Sequence, residues 1–138
     1  MSFSADLAKF PSATSVTMNS EGGTATTNVQ QGLAKGWVNL NGTSTAANRD
    51  SFNFDAVTDN GTGDYTHTIT NNMNNATYAI TTGTNGGNAA NNTNTFDIFI
   101  DCTRAEPTTA AFPTQNWQDN ATTGDVGYVM VAIHGDLA

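Results

Sequence analysis

The sequence predicts an all-β protein: an antiparallel β-sandwich or jelly-roll-like domain of about seven strands, preceded by an N-terminal arm. Composition is the first reason, since 24 of the 138 residues are Thr, 18 are Asn and 13 are Gly. Thr is β-branched and favours strands, whereas Asn and Gly favour turns. The second reason is that apolar and polar residues alternate over several short runs bounded by turn residues.

Charge and apolar patterning exclude several classes of protein. Only 12% of the residues are charged, with 4 basic against 12 acidic and a net charge of −8. Nucleic-acid backbones are bound by clustered Lys and Arg, and the four scattered cations form no cluster. No run approaches the roughly 18 apolar residues of a membrane helix. We therefore expect neither nucleic-acid binding nor membrane insertion.

The first part of the chain differs in composition from the rest. Residues 1–31 are rich in Ser, Thr and Ala and are too sparse in apolar residues to form a core. We predict that they form an arm or anchoring segment, either flexible or ordered by packing on a neighbour, and that residues 32–138 form the sandwich. The candidate anchoring residues are the apolar ones, Phe3, Leu7, Phe10 and Val16.

The clearest strand signals lie between residues 33 and 70. In the run Leu33–Leu40, Trp37 and Asn39 are predicted to face one way and the intervening residues the other. The runs Ser51–Val57 and Asp64–Thr70 flank an Asn-Gly turn and predict a β-hairpin, with a bulge or a wider loop because the connection is long. Alternation places Phe52 with Phe54 on one face of the first run, and Tyr65, His67 and Ile69 on one face of the second.

Three further strands are predicted at Thr77–Thr82, Thr95–Thr103 and Val126–His134. Cys102 continues an apolar face of the second, which favours a buried, inert thiol. The third is apolar on both faces, which suits a strand buried on both sides or covered by a partner subunit. The candidate core or subunit-interface residues are Trp37, Phe52, Phe54, Tyr65, Ile98, Val129, Val131 and Ile133.

Two long segments, Gly83–Asn94 and Arg104–Asp125, are predicted to be irregular. Loops of this length in compact domains usually serve binding or an interface. The candidate partner-binding residues in them are Asn85, Asn88, Asn92, Phe112, Trp117 and Asp119.

No catalytic, cofactor or metal site is predicted. Asp59 and Asp64 flank Gly61, but Gly61 and Gly63 occupy positions where a calcium loop needs oxygen ligands, so turn chemistry is the favoured interpretation. His67 has no partner at zinc-ligand spacing, and no Gly-x-Ser-x-Gly motif occurs. We expect a protein that is not an enzyme. Sugar stacking on Trp117, Tyr128 or Trp37 is an alternative to burial of these aromatics in the core.

Four segments together resemble a module of small tail-fibre-like virion proteins of tailed, often marine, bacteriophages. They are Gly32–Thr43, Arg49–Asn53, Val57–Thr66 with its Asp-Asn-Gly-Thr-Gly-Asp-Tyr turn, and Met73–Ala79. The resemblance covers about residues 32–82, just over a third of the chain. The chain departs from the family pattern at Gly36, Leu40 and Phe54.

The resemblance implies a virion protein that is assembled in the host bacterial cytoplasm. Its implied function is that of a tail-fibre-like appendage contributing to host-surface attachment. The alternative is a capsid decoration, or cement, protein that stabilises neighbouring capsid subunits. The implied partners are other virion structural proteins, further copies of the chain (a homotrimer being favoured) and a glycan or protein of the host surface. No cofactor is implied.

Overall fold

A computed structural model describes residues 17–19, 26–84, 96–118 and 122–138. The chain divides into two compact units, residues 1–33 and residues 34–138. Several predicted functional residues lie outside the described residues. They are Phe3, Leu7, Phe10 and Val16 of the predicted arm, and Asn85, Asn88, Asn92 and Asp119 of the predicted loops.

The described part of the first unit is a small hairpin followed by one helical turn. Strand β1 (Thr17–Asn19) pairs antiparallel with β2 (Thr26–Asn28), and α1 (Val29–Gly32) follows directly. Asn28 is the N-cap of α1, because its side chain accepts a hydrogen bond of 2.9 Å from the Gln30 N–H. In the described ranges, no helix has the length and apolar character that a membrane crossing needs.

The described residues of the second unit form an antiparallel β-sandwich of eight strands, so the predicted all-β sandwich class is confirmed. Sheet 1 has the order β4-β3-β10-β7 and sheet 2 the order β5-β6-β9-β8. The strands are β3 (Gly36–Asn41), β4 (Ala47–Phe52), β5 (Thr58–Gly61), β6 (Asp64–Thr68), β7 (Ala79–Thr84), β8 (Phe96–Ile100), β9 (Ala111–Gln118) and β10 (Val129–His134).

The core lies between the two sheets and follows the alternation of the sequence. Strands β3 and β10 at the centre of sheet 1 and strands β6 and β9 at the centre of sheet 2 contribute most of its buried side chains. Of the candidate core residues, Ile98 is half-buried against this core. Those that are buried in it are Phe54, Tyr65, Val129, Val131 and Ile133.

The prediction that Phe52 and Phe54 share a face is wrong. Phe54 is 7% exposed, whereas Phe52 on the edge strand β4 is 52% exposed. The strand ends between them because Asn53 adopts a φ of +60°. The Asn53 side chain holds this bend by donating to the Lys35 carbonyl at 2.8 Å and accepting from the Asn71 N–H at 2.7 Å. A residue in the left-handed region reverses the direction of the chain, so alternation does not continue through it.

The predicted hairpin around the Asn-Gly turn has a different first strand. Strand β6 forms its hairpin with the short β5. Residues 51–57 meet the end of β6, where the Asp55 N–H donates to the Thr68 carbonyl at 3.0 Å and Phe54 forms an isolated bridge with Ile69. The connection is the two-residue turn Thr62–Gly63, with a register shift between Asp59 and Gly61. The pairing is therefore irregular at this connection, as predicted, but the hairpin is tighter than predicted.

The prediction of an irregular segment from Arg104 to Asp125 is wrong for residues 111–118. These residues form β9, which pairs with both β6 and β8 in the interior of sheet 2. Pro113 lacks an N–H and normally marks a strand edge. Here it lies opposite Thr66, and its carbonyl accepts from the Asp101 N–H at 3.4 Å. Phe112 is 1% exposed, so it belongs to the core and is not available to a partner.

Candidate functional site

The acidic residues of the Asn-Gly turn serve the fold. Asp59 Oδ1 accepts from the Gly61 N–H at 3.0 Å, which is the turn chemistry predicted for it. Asp64 Oδ1 lies 3.4 Å from Arg104 Nε in an ion pair. In the described ranges of the chain, no group of three or more His, Cys, Asp or Glu residues is placed to hold a metal ion.

The end of the same turn is hydrogen-bonded to residues that are distant in sequence, Asp125 and Gly42. The Gly63 N–H donates to Asp125 Oδ1 at 2.7 Å. The Tyr65 hydroxyl lies 2.9 Å from the Gly42 carbonyl and 3.1 Å from Asp125 Oδ1. Burial, followed by the nearby carboxylate of Asp125, raises the pKa of Tyr65 far above its ordinary value. We call this group the Gly63–Tyr65 anchor, and its role is to hold the sandwich together.

His67 is a buried, neutral packing residue. Its ring is stacked on Phe112 with a centroid distance of 5.1 Å and meets the edge of Phe54 at 6.2 Å. Its Nε2 lies 2.9 Å from Thr114 Oγ1. Burial lowers the pKa of His67 to about 4, because the imidazolium would be desolvated. The side chain fills the core and makes one hydrogen bond.

We expect His67 to make the protein less stable in acid. The unfolded chain takes up the His67 proton near the ordinary pKa of about 6.5, whereas the folded chain takes it up only near about 4. Its contribution to the free energy of unfolding is therefore complete above the first value and falls by about 1.4 kcal/mol per pH unit between the two. Urea unfolding followed across this window measures the loss.

The matched variant is His67→Gln, which keeps a hydrogen-bonding group beside Thr114 but does not titrate. Its free energy of unfolding should fall less steeply between about pH 6.5 and about pH 4 than that of the parent. Since carboxylates contribute equally to both proteins, the difference between the slopes belongs to His67. If the free energy of unfolding fell equally steeply with decreasing pH in both proteins, His67 would not be held neutral by the fold.

The outer surface of sheet 2 carries two exposed aromatic rings. Phe99 on β8 is 53% exposed and Trp117 on β9 is 38% exposed. Phe99 lies opposite Gln115 in the register, so Trp117 is its diagonal neighbour. We call Phe99, Gln115, Trp117 and the adjacent residues Asp101–Thr103 the aromatic–polar face. A depression of about 420 Å³ on it is lined by Phe99, Ile100, Asp101, Cys102, Thr103, Gln115 and Trp117.

A hydrogen-bonded turn forms the rim of this depression. Asp101 Oδ1 accepts from both the N–H and the hydroxyl of Thr103, and the Arg104 N–H donates to the Asp101 carbonyl at 3.2 Å. The Thr103 hydrogen bond holds the pKa of Asp101 below its ordinary value. Cys102 is exposed in the turn. The predicted buried thiol is therefore wrong, because the strand ends at Ile100.

The outer surface of sheet 1 carries a second exposed cluster with different chemistry. Trp37 is 40% exposed, Phe52 opposite it is 52% exposed, and Met130 on β10 is 40% exposed. We call these three residues the apolar face. Asn39 lies opposite Met130, and its Oδ1 is buried with no hydrogen-bond partner among the residues that the structure describes. The depression here measures about 470 Å³ and is lined mainly by apolar atoms of Trp37, Met130, Val131 and Ala132.

The predicted sugar-stacking residues have different surroundings. Trp117 and Trp37 are partly exposed on opposite sides of the sandwich. The ring of Tyr128 is covered by the guanidinium of Arg49, whose Cζ lies 4.1 Å from the ring centroid. Sequence reasoning missed Phe99, although alternation along β8 places it on the polar side of the strand, away from Ile98 and Ile100.

No family model matches the chain, and neither a curated protein nor a solved structure shows significant similarity to it.

Proposed function

We propose that this chain is a non-enzymatic structural protein of a tailed-phage virion, a tail-fibre-like appendage that contributes to host-surface attachment. The observation that supports this most is that one sandwich carries two chemically different exposed faces on its opposite sides. An appendage needs one surface for the particle and another for the host. The proposal assigns the apolar face to the first task and the aromatic–polar face to the second.

The apolar face has the composition of a lasting protein contact. Exposed aromatic and Met side chains are enriched at the centres of such interfaces. Trp37, Phe52 and Met130 provide such a cluster. Its partner in the proposal is another virion protein or a further copy of the chain, with a homotrimer favoured.

The part of the chain that resembles tail-fibre-like proteins mainly provides the scaffold. Residues 32–82 contain the Gly63–Tyr65 anchor except for Asp125, and they contain two residues of the apolar face. The aromatic–polar face lies on residues 96–118, outside this resemblance. Host contact in the proposal is therefore made by a surface that is separate from the common scaffold.

Capsid decoration is the second candidate function, and the apolar face also favours it. The buried Asn39 Oδ1 has no partner within the described residues, and a neighbouring protein could supply a donor. A cement protein on the head shell would use the same apolar face to stabilise neighbouring capsid subunits.

Phe52 and Phe99 offer a matched pair of variants. Both are phenylalanines on edge strands, 52% and 53% exposed respectively, but on opposite faces. We expect Phe99→Ser to reduce adsorption to host cells by about tenfold or more while the copy number per particle stays unchanged. We expect Phe52→Ser to reduce the copy number per particle, measured by quantitative mass spectrometry of purified virions.

Cryo-electron microscopy of the particle provides the second measurement. Density for this chain on the tail supports the appendage, and density on the head shell supports the decoration protein. Unchanged adsorption of fully loaded Phe99→Ser particles would contradict attachment through the aromatic–polar face. A chain found in neither place on purified particles would contradict both candidate functions.

A further inference from the structure

We infer that the aromatic–polar face binds a neutral saccharide, with Phe99 and Trp117 as stacking surfaces and Gln115 and Asp101 as hydrogen-bonding groups. The inference rests on the proposed attachment function, for which it specifies the class of ligand. It is carried by the arrangement of the rings, by the polar groups between and beside them, and by the local charge.

The two rings are spaced for a ligand larger than one small group. Diagonal neighbours across an antiparallel pair lie roughly 7–8 Å apart at their backbones, and Phe99 and Trp117 are such a pair. Both rings keep a large exposed fraction even though they lie on paired strands. A sugar ring has an apolar face of C–H groups and a polar edge of hydroxyls, which matches an aromatic surface surrounded by polar groups.

The polar side chains of the face offer the hydrogen-bond donors and acceptors that the hydroxyls of a saccharide require. The Gln115 amide offers donors and an acceptor, and it lies directly opposite Phe99. Asp101 lines the same depression. Its carboxylate has more acceptor positions than the two hydrogen bonds from Thr103 occupy. A ligand on this face therefore meets both donors and acceptors next to the stacking rings.

The rim is held in place by hydrogen bonds and an ion pair of its own. The Cys102 N–H donates to the Ile100 carbonyl at 3.1 Å, which fixes the start of the turn. At its end, Arg104 reaches back to sheet 2, donating to Thr66 Oγ1 at 2.6 Å and pairing with Asp64. A surface fixed in this way loses little conformational entropy on binding, which favours even a weak ligand.

Charge selects neutral saccharides over anionic ones. Asp97 and Asp101 lie on or beside the face, and the nearby Arg104 is paired with Asp64. The chain as a whole carries a net charge of −8. Saccharides bearing carboxylates, phosphates or sulfates meet repulsion here, and the nearby cation Arg104 is already paired with a carboxylate.

The two tryptophans allow a direct test. In a Trp37→Phe background, Trp117 is the only tryptophan and reports on this face alone. The probes are neutral oligosaccharides of glucose, mannose or N-acetylglucosamine, with an oligogalacturonate of equal length as the anionic probe. We expect at least one neutral probe to change the Trp117 emission saturably and the oligogalacturonate to leave it unchanged. Phe99→Ala and Gln115→Ala should each raise the apparent Kd by about tenfold or more.

Three results would overturn the inference. The first is a Trp117 emission that no neutral probe changes saturably, and the second is an equal change with the oligogalacturonate. The third is a Trp117 emission that depends on protein concentration alone, which would show that a second copy of the chain covers the face. Urea unfolding of the Gln115→Ala variant confirms that it is folded. Saccharide binding with unchanged adsorption of Phe99→Ser particles would leave the inference standing and remove the attachment function. Lost adsorption of the Phe99→Ser particles without saccharide binding would remove the saccharide inference and leave the attachment function standing.

Discussion

Replacing Gly63 with alanine is expected to reduce the free energy of unfolding by about 3–5 kcal/mol. Gly63 has a φ of +70°, which an L side chain adopts at a cost. A Cβ atom there would also lie 2.8 Å from the Gly124 carbonyl oxygen and 2.9 Å from the Gly124 nitrogen. These are backbone atoms that cannot rotate away, so β6 and the chain around Gly124 would have to separate.

Gly61 in the same turn provides the control. Its φ is +138°, but no heavy atom lies within 4 Å of a Cβ built there. Gly61→Ala therefore adds backbone strain without a collision, and we expect a loss of about 1–2 kcal/mol. Urea unfolding measures both variants. Equal losses would mean that the close approach of Gly63 to Gly124 does not exist.

Replacing Phe112 with alanine is expected to destabilise the protein by about 3–5 kcal/mol. The ring is 1% exposed and stacks on His67 at a centroid distance of 5.1 Å. It also meets Phe54 edge to face at 5.9 Å and Tyr78 at 6.2 Å. Its removal leaves a cavity where side chains of both sheets and their connections meet.

Trp117 is the matched control, because it is an aromatic residue of the same strand on the outer side. It is 38% exposed, so we expect Trp117→Ala to cost about 1–2 kcal/mol, less than Phe112→Ala. Thermal or urea unfolding of the two variants compares them directly. A larger loss for Trp117 than for Phe112 would show that the two faces of β9 are the reverse of those described.

The location of β9 could not be predicted from the sequence, for two local reasons. Pro113 signals a break in a strand, and the inward-facing residues after Phe112 are Thr114 and Asn116. An inner face with polar side chains does not alternate between apolar and polar residues, so the usual signal is lost. The strand forms because β6 and β8 supply hydrogen-bonding partners on both sides.

The separation of Phe52 from Phe54 was also decided by contacts distant in sequence. The positive φ of Asn53 is held by the Lys35 carbonyl and by Asn71, each 18 positions away. Alternation assumes an extended chain and cannot anticipate such a bend. As a result Phe52 joins the apolar face, and only Phe54 enters the core.

Part of the aromatic–polar face could be predicted from the sequence. Trp117 was identified as a partner-binding candidate, although in a loop, and the pattern of β8 placed Phe99 on its polar side. Their proximity was not predictable, because it depends on the register that sets Phe99 opposite Gln115. Register arises from pairing between distant segments, whereas alternation is a property of one segment.

By itself the sequence determined the all-β class, which residues of β3 and of β6 share a face, and the chemistry of the Asp59–Asp64 turn. These features depend on local propensity and on a period of two, which neighbouring residues carry. Only the tertiary structure decided which strands pair, where strands end and which aromatic side chains remain exposed. Those outcomes depend on hydrogen bonds and packing between distant parts of the chain, and they turn Trp37, Phe52, Phe99 and Trp117 into two opposite surfaces.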